Sequence, residues 1–207
     1  MKLIGRYMSP FVRRVGVSLT MLDLPYTLLP LSTASDVEAI RAITPLGRVP
    51  ALELDDGVVL IDSTAILDHL DQMVGPERAL IPVKGAERTK VLNIVSFAVG
   101  ACEKAVTAYY ERGRRPKEFF WNDWAEDCEK QARGALSLLD DLQAERGEKP
   151  LVGECLTQAD ITSVVAYDFA RLVLPDTLAP ANAFPNLAAA SERANATEPF
   201  AVTQWKG

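Results

Sequence analysis

Apolar and polar positions follow two different rhythms along this chain, and the rhythm changes near residue 80. In the first part, short apolar runs at "KLIGRY", "PYTLLPL" and "VPALELDDGVVLI" predict strands. The last run predicts two strands joined at Asp56-Gly57, a residue pair suited to tight hairpin turns. Between them, Phe11, Val15, Leu19 and Leu22 recur at helical spacing behind Pro10. A proline fits the first helical position, so Ser9 is the predicted N-cap. "SDVEAIRAI" predicts a short helix capped by Ser35 or Asp36, and "DSTAILDHLDQMV" a helix that starts at Asp62 or Ser63. The order is βαβαββα.

"GPERALIPVKG" is rich in proline and glycine and reads as a linker. Beyond it the period is helical. Val91, Ile94, Val95, Ala98, Cys102, Ala105 and Tyr109 trace one face of a long helix. Trp124, Cys128, Ala132, Leu136, Leu139 and Leu142 trace a second. "LTQADITSVVAYDFARLV" and "PNLAAASERANA" supply two more. The expected division is residues 1–77 as an α/β domain, 78–85 as linker and 86–207 as an all-α helical bundle.

Composition narrows the function classes. The chain has 207 residues, 48% of them hydrophobic and 24% charged, which is ordinary for a globular protein with a sizeable core. A net charge of -6 argues against nucleic acid as a partner. No apolar run reads as a membrane span, and Arg6, Arg13 and Arg14 interrupt any leader-like segment. The expectation is a cytoplasmic protein with no membrane partner. Cys102, Cys128 and Cys155 are odd in number and widely spaced, which fits buried free thiols better than disulfides or a zinc site. His69 is the only histidine, it is expected to be structural, and no metal site is predicted.

Three short segments carry candidate chemistry. At Ser9 the helix N-terminus offers unpaired N–H groups and a partial positive charge. A hydroxyl there can add a charge-assisted hydrogen bond of about 1.5–3 kcal/mol. Lowering a thiol's pKa by two units takes about 2.7 kcal/mol, so the pair suits a bound thiolate. On this stretch alone a plain cap is the favoured explanation of Ser9. At Val49-Pro50, a proline before a strand can turn the N–H and C=O of Val49 outward to pair with an extended peptide. At Asp62-Ser63, the serine and first-turn N–H groups can receive a carboxylate while the aspartate pairs with an ammonium. Capping explains that pair as well. All three fall at strand ends or helix starts, where open α/β sheets bind ligands. A ligand with a thiolate, a peptide-like middle and an amino-acid end is glutathione.

The whole chain resembles the cytosolic glutathione transferases. "SPFVRRV" is similar to the active-site segment of the serine-type, bacterial-like classes, "PLGRVPAL" to the segment with the family's cis-proline, and "DSTAI" to its acidic-Ser-x-Ala-Ile segment. "LTQADI" is similar to the capping motif of the helical domain, with Thr157 as N-cap and Asp160 at N3. The resemblance implies a thioredoxin-like N-terminal domain, an all-helical C-terminal domain and a homodimer. It implies that Ser9 donates to the glutathione sulfur and that Val49, with Pro50, holds the cysteinyl backbone. Asp62 and Ser63 would hold the γ-glutamyl end, and Arg48 the glycyl end. The loop "LSTASD" lacks the basic residue that related classes place there. Tyr7 is a competitor for Ser9.

Met8, Phe11, Tyr109, Tyr110 and Phe119 are candidates to line a co-substrate pocket, with core or surface packing an equal alternative for each. Arg112, Arg114, Arg115 and Lys117 form a basic cluster that reads as a solvated helix end or as a site for anionic substrates. The expected activity is conjugation of glutathione to a small hydrophobic electrophile, a detoxification chemistry. A non-catalytic binding or regulatory module is the alternative from another class. A glutathione-dependent thiol reductase would need cysteine at position 9. The Ser-Ser-Cys signature of the family's isomerases is absent.

Overall fold

A computed structural model describes the whole chain, Met1–Gly207. In chain order its elements are β1 (Lys2–Ile4), α1 (Pro10–Met21), β2 (Thr27–Leu29), α2 (Val37–Ile43), β3 (Ala51–Glu53), β4 (Val59–Ile61) and α3 (Ser63–Val74). The helices α4 (Gly85–Gly113), α5 (Asn122–Arg146), α6 (Gln158–Val173), α7 (Pro185–Asn195) and α8 (Glu198–Ala201) follow. The expected βαβαββα order and the helical second part are both present. The chain divides into two compact units, Met1–Val83 with Asn195–Gly207, and Lys84–Ala194.

In the first unit four short strands form one sheet in the order β2-β1-β3-β4. β1 runs parallel to β2 and antiparallel to β3, and β3 and β4 form the antiparallel hairpin. The hairpin turn closes as its sequence predicts. Leu54 N–H donates to Val58 O at 2.8 Å, Gly57 adopts φ +87°, and the Asp56 carboxylate accepts from Val58 N–H. Leu3, Ile4, Ala51 and Leu52 are fully buried, as are Val12, Val15 and Leu19 of α1 and Ile66 and Leu70 of α3. Burial of such side chains contributes roughly 1.5–3 kcal/mol each, more than the few ladder bonds of three-residue strands.

The expected boundary changes at the C-terminus. Residues 195–207, expected as the end of the helical domain, belong to the first unit. α8 packs on α1, Phe200 and Thr203 are buried, and the Arg13 guanidinium donates to the Asn195 carboxamide at 2.7 Å. The linker stretch is held as well. The Asp71 carboxylate accepts from Leu80 N–H at 2.8 Å and Ile81 N–H at 3.0 Å, and Arg78 donates to Leu22 O.

In the second unit α4 packs against α5 and α6. Val91, Ile94, Val95, Ala98, Cys102 and Ala105 are buried as their spacing predicts. By length and composition alone α4 would suffice to cross a membrane, a test that the core helix of a globular protein also passes. Its apolar stripe instead supplies the core against two neighbouring helices. On α5 the predicted face begins one residue late. Trp124 is exposed, with Lys104 of α4 over its ring, and small Ala125 takes the buried position. Of the cysteines, Cys102 and Cys128 are buried free thiols, while Cys155 is exposed in the loop before α6.

α6 starts with the predicted capping box. Thr157 Oγ1 accepts from Ala159 N–H, and the Asp160 carboxylate accepts from Thr157 N–H at 2.8 Å and Leu151 N–H at 2.7 Å. Burial pushes the Asp160 carboxyl up, and its backbone donors pull against that shift. Losing the cap hydroxyl in Thr157→Ala is expected to cost about 0.5–2 kcal/mol. Asp160→Ala is expected to cost more, because two buried N–H groups lose their acceptor. Calorimetric melting measures both. An Asp160→Ala protein that melts with the wild type would overturn this role.

Candidate functional site

The register of the sheet assembles the site. Ile4 pairs with Leu29 on one side and with Ala51 on the other, and Ala51 pairs with Ile61. These four residues form one row across the sheet. β1, β2 and β4 end on that row, and β3 begins on it. Neighbouring strands lie about 4.8 Å apart, so the exit of β1, the entry of β3 and the exit of β4 fit within about 10 Å. The Ser9 segment follows the first, Val49-Pro50 precedes the second, and Asp62-Ser63 follows the third.

Ser9 is the N-cap of α1, with φ -71° and ψ 123° and Pro10 behind it. Its Oγ accepts from Val12 N–H at 3.4 Å. That contact uses a lone pair and leaves the hydroxyl proton free to be donated elsewhere. The helix end is also electrostatically distinct. The other helices carry a carboxylate at the cap or in the first turn, or receive one from a neighbour, as α7 does from Asp140. α1 has none, so the partial positive charge of its N-terminus is not neutralised.

The Val49-Pro50 peptide bond is cis. Ladder pairing stops at Ala51, so the backbone of Val49 lies outside the sheet's own hydrogen bonds. Pro50 is buried, Val49 is half-buried and Arg48 is exposed. Asp62 caps α3 and accepts from Thr64 N–H at 2.8 Å, with φ 69° and ψ 128°, a strained backbone outside the left-handed helical region. Ser63 is buried at the first position of α3, and Asp62 is exposed.

Tyr7 faces elsewhere. Its hydroxyl hydrogen-bonds that of Tyr26 at 2.7 Å, and its ring lies against Gly16. Burial, and then the Tyr26 contact, push its pKa well above the ordinary tyrosine value. A less acidic phenol with an existing partner is a poor donor to a thiolate. Met8 and Phe11 are half-buried in the first unit, and Tyr109 and Tyr110 are half-buried at the end of α4 in the second. Phe119 is exposed, and His69 is partly buried on α3.

Three contributors escaped the sequence reading. Gly5, with φ +127°, follows β1 directly; a Cβ there would fall 2.5 Å from Val12 Cγ2 and 2.9 Å from Val49 Cβ. Glycine is what lets α1 and the Val49 segment close on the strand end. A glycine at a strand exit was the available signal. Arg6 reaches across to the loop that lacks its own basic residue, donating to Pro30 O at 3.0 Å and pairing with Asp36 at 3.7 Å. Tyr26 lies nineteen residues from Tyr7, and no sequence signal joins them.

The helix N-terminus of α1, the outlying Val49 backbone and the acidic-serine cap of α3 thus adjoin on one edge of a small α/β sheet, the kind of place where such sheets bind ligands. The family model for the glutathione S-transferase N-terminal domain matches residues 3–78. A glutathione transferase family member from Pseudomonas fluorescens Pf-5, solved with bound glutathione, is 31% identical, with 98% of each chain covered and a TM-score of 0.84. The chain belongs to the glutathione S-transferase family. The maleylacetoacetate isomerase of Pseudomonas aeruginosa is 36% identical over 103 residues, 46% of this chain and 48% of the relative. A glutathione S-transferase of Escherichia coli O157:H7 is 29% identical over 108 residues, 52% of each chain. The chain spans about half the length of these curated relatives.

Gly5→Ala is expected to destabilise the first unit by about 2 kcal/mol or more, because strain at φ +127° adds to the overlap with Val12 and Val49. Thermal melting tests this. A variant as stable as the wild type would show that the strand exit tolerates a side chain.

Proposed function

We propose that the chain is a serine-type glutathione transferase that conjugates glutathione to a small hydrophobic electrophile. The observation that carries this reading is the row Leu29–Ile4–Ala51–Ile61, which sets the Ser9, Val49 and Asp62-Ser63 segments side by side. An extended tripeptide is about 10 Å long, the same span. Its γ-glutamyl ammonium pairs with Asp62 and its carboxylate with Ser63 and the first N–H groups of α3. Its cysteinyl backbone pairs with Val49, held by Pro50. Its glycyl carboxylate takes a cation from Arg48, and Arg6 supplies a second at the neighbouring loop.

The sulfur then lies at the start of α1. There the helix N-terminus and the Ser9 hydroxyl stabilise the thiolate, and the thiol proton leaves to water. The sulfur lone pair forms the new C–S bond as the electrophile's leaving group departs with its electron pair. The geometry of Tyr7 favours Ser9 as the donor. A hydroxyl at position 9 cannot form a mixed disulfide, which disfavours reductase chemistry. A glutathione-dependent isomerisation is the second reading, favoured by the 36% identity to a maleylacetoacetate isomerase.

Ser9→Ala should raise the apparent pKa of bound glutathione by one to two units, the equivalent of about 1.5–3 kcal/mol, and leave its affinity much less changed. Tyr7→Phe should leave that pKa in place. Thiolate absorbance of the binary complex against pH measures both, and the opposite pattern would give the role to Tyr7. Asp62→Ala should weaken glutathione binding by about ten- to a hundredfold in calorimetry.

We infer a homodimer as well. Leu92 and Phe97 leave an exposed apolar stripe on α4, beside small Ser96 and Gly100. Sedimentation at micromolar concentration should give twice the 22.6 kDa of one chain, and a purely monomeric species would refute the dimer.

A further inference from the structure

The row Leu29–Ile4–Ala51–Ile61 has four strand ends, and the ligand groups assigned so far use three of them. β4 leads to Asp62-Ser63, β3 follows Val49, and β1 leads towards Ser9. The fourth end is the exit of β2, which opens into the loop Pro30–Asp36. It stands three strand spacings from the Asp62 end, about 14 Å. A tripeptide pinned at Asp62 and Val49 therefore turns its C-terminal residue towards Arg6 and this loop.

The two ends of the row are unlike. At the Asp62 end Ser63 is buried, and the Asp62 carboxylate is fixed by Thr64 N–H at 2.8 Å. At the β2 end the charges already cancel within the chain. Arg6 Nε donates to Pro30 O at 3.0 Å, and its guanidinium lies 3.7 Å from the Asp36 carboxylate. Asp36 in turn accepts from Ser32 N–H at 2.8 Å and from the Ser35 hydroxyl at 2.9 Å. Those two donors, and then Arg6, hold its carboxyl below the usual range, so it stays charged at neutral pH. The loop "PLSTASD" has no lysine or arginine of its own, and the next cation along, Arg41, pairs with Glu38 at 2.9 Å. Arg48 remains, and it is exposed. An exposed guanidinium–carboxylate pair strengthens binding by no more than about fivefold, the equivalent of about 1 kcal/mol. A carboxylate brought up to Arg6 gains less again, because it shares that cation with a fixed anion.

Resting on the glutathione reading of the site, we propose that it selects the γ-glutamylcysteinyl part of the thiol and is nearly indifferent to the C-terminal residue. Its co-substrates then form a class: γ-glutamylcysteine, glutathione, and glutathione amidated or extended at the glycine. Asp36 is the residue that sets this breadth. Its charge offsets the one cation, Arg6, that stands where a free glycyl carboxylate would otherwise be selected.

Calorimetry of the full chain with four thiols tests the proposal: glutathione, glutathione amide, γ-glutamylcysteine and cysteinylglycine. The amide and γ-glutamylcysteine should bind within about fivefold of glutathione. Cysteinylglycine keeps the glycine and lacks the γ-glutamyl group, and it should bind at least about tenfold more weakly. Asp36→Asn removes the charge and keeps an oxygen for Ser32 and Ser35. It should strengthen glutathione about two- to fivefold and leave the amide unchanged. Glutathione that binds while its amide or γ-glutamylcysteine falls outside the fivefold range would overturn the proposal and leave glutathione as the ligand. An Asp36→Asn protein that shifts glutathione and its amide alike would overturn the role of Asp36. No binding of glutathione, or cysteinylglycine binding as tightly, would overturn the glutathione reading and this proposal with it.

Discussion

Four three-residue strands share one register, and Ile4 stands at its centre. Its pairing with Leu29 and Ala51, and through Ala51 with Ile61, decides where three connections leave the sheet. Strands this short offer few ladder bonds, so the register is held by what they bury. Leu3 and Ile4 are both fully enclosed, one on each face. A slip of one residue would exchange those faces and carry the Ser9 segment to the wrong side. Gly5 tightens the same constraint, since only a residue without Cβ lets Val12 and Val49 meet at the strand exit. Position of the ligand groups is thus a consequence of core packing two residues away.

Carboxylates perform the complementary task. Asp71 fixes the linker, Asp140 the start of α7, Asp160 the loop before α6, and Glu111 the backbone ahead of α5, each by accepting main-chain N–H groups from a separate segment. A buried carboxylate used this way replaces its lost hydration with several charge-assisted bonds. The start of α1 is the exception. No carboxylate stands in its first turn, and the same sheet edge presents Val49 and Asp62. A fold that neutralises its other helix starts and leaves this one open has the electrostatics that thiolate binding requires.

Much of this was legible because it is local. Ser9-Pro10, Asp56-Gly57, Asp62-Ser63 and Thr157 with Asp160 each act within three residues, so the sequence displays both partners of every interaction. The α4 stripe was legible for the same reason, since one helical period defines one face. What stayed hidden depends on distant partners. Trp124 and Ala125 are equivalent in period, and only the packed helices reveal that the smaller one is inside. Residues 195–207 look like more of the helical part until Phe200 is seen buried in the first unit beside α1. Arg6 belongs by sequence to the first strand's exit, yet its contacts are with Pro30 and Asp36, the loop judged to lack a cation.

The two readings of Ser9, cap and thiolate donor, are compatible on this geometry, and the distances weigh them. The capping contact to Val12 N–H is 3.4 Å, near the limit of a hydrogen bond, whereas Asp62 caps α3 at 2.8 Å. A serine whose only task was capping would be expected at the shorter distance, where a cap contributes about 1 kcal/mol. At 3.4 Å the capping contribution is small. Pro10, which has no N–H to satisfy, already starts the helix. What the hydroxyl retains is its proton, on a half-buried oxygen at a helix start free of carboxylates. Tyr7, the rival candidate, already shares a hydrogen bond with the Tyr26 hydroxyl and is made less acidic by burial. Of the two hydroxyls, these contacts make Ser9 the better candidate for the proposed thiolate donor.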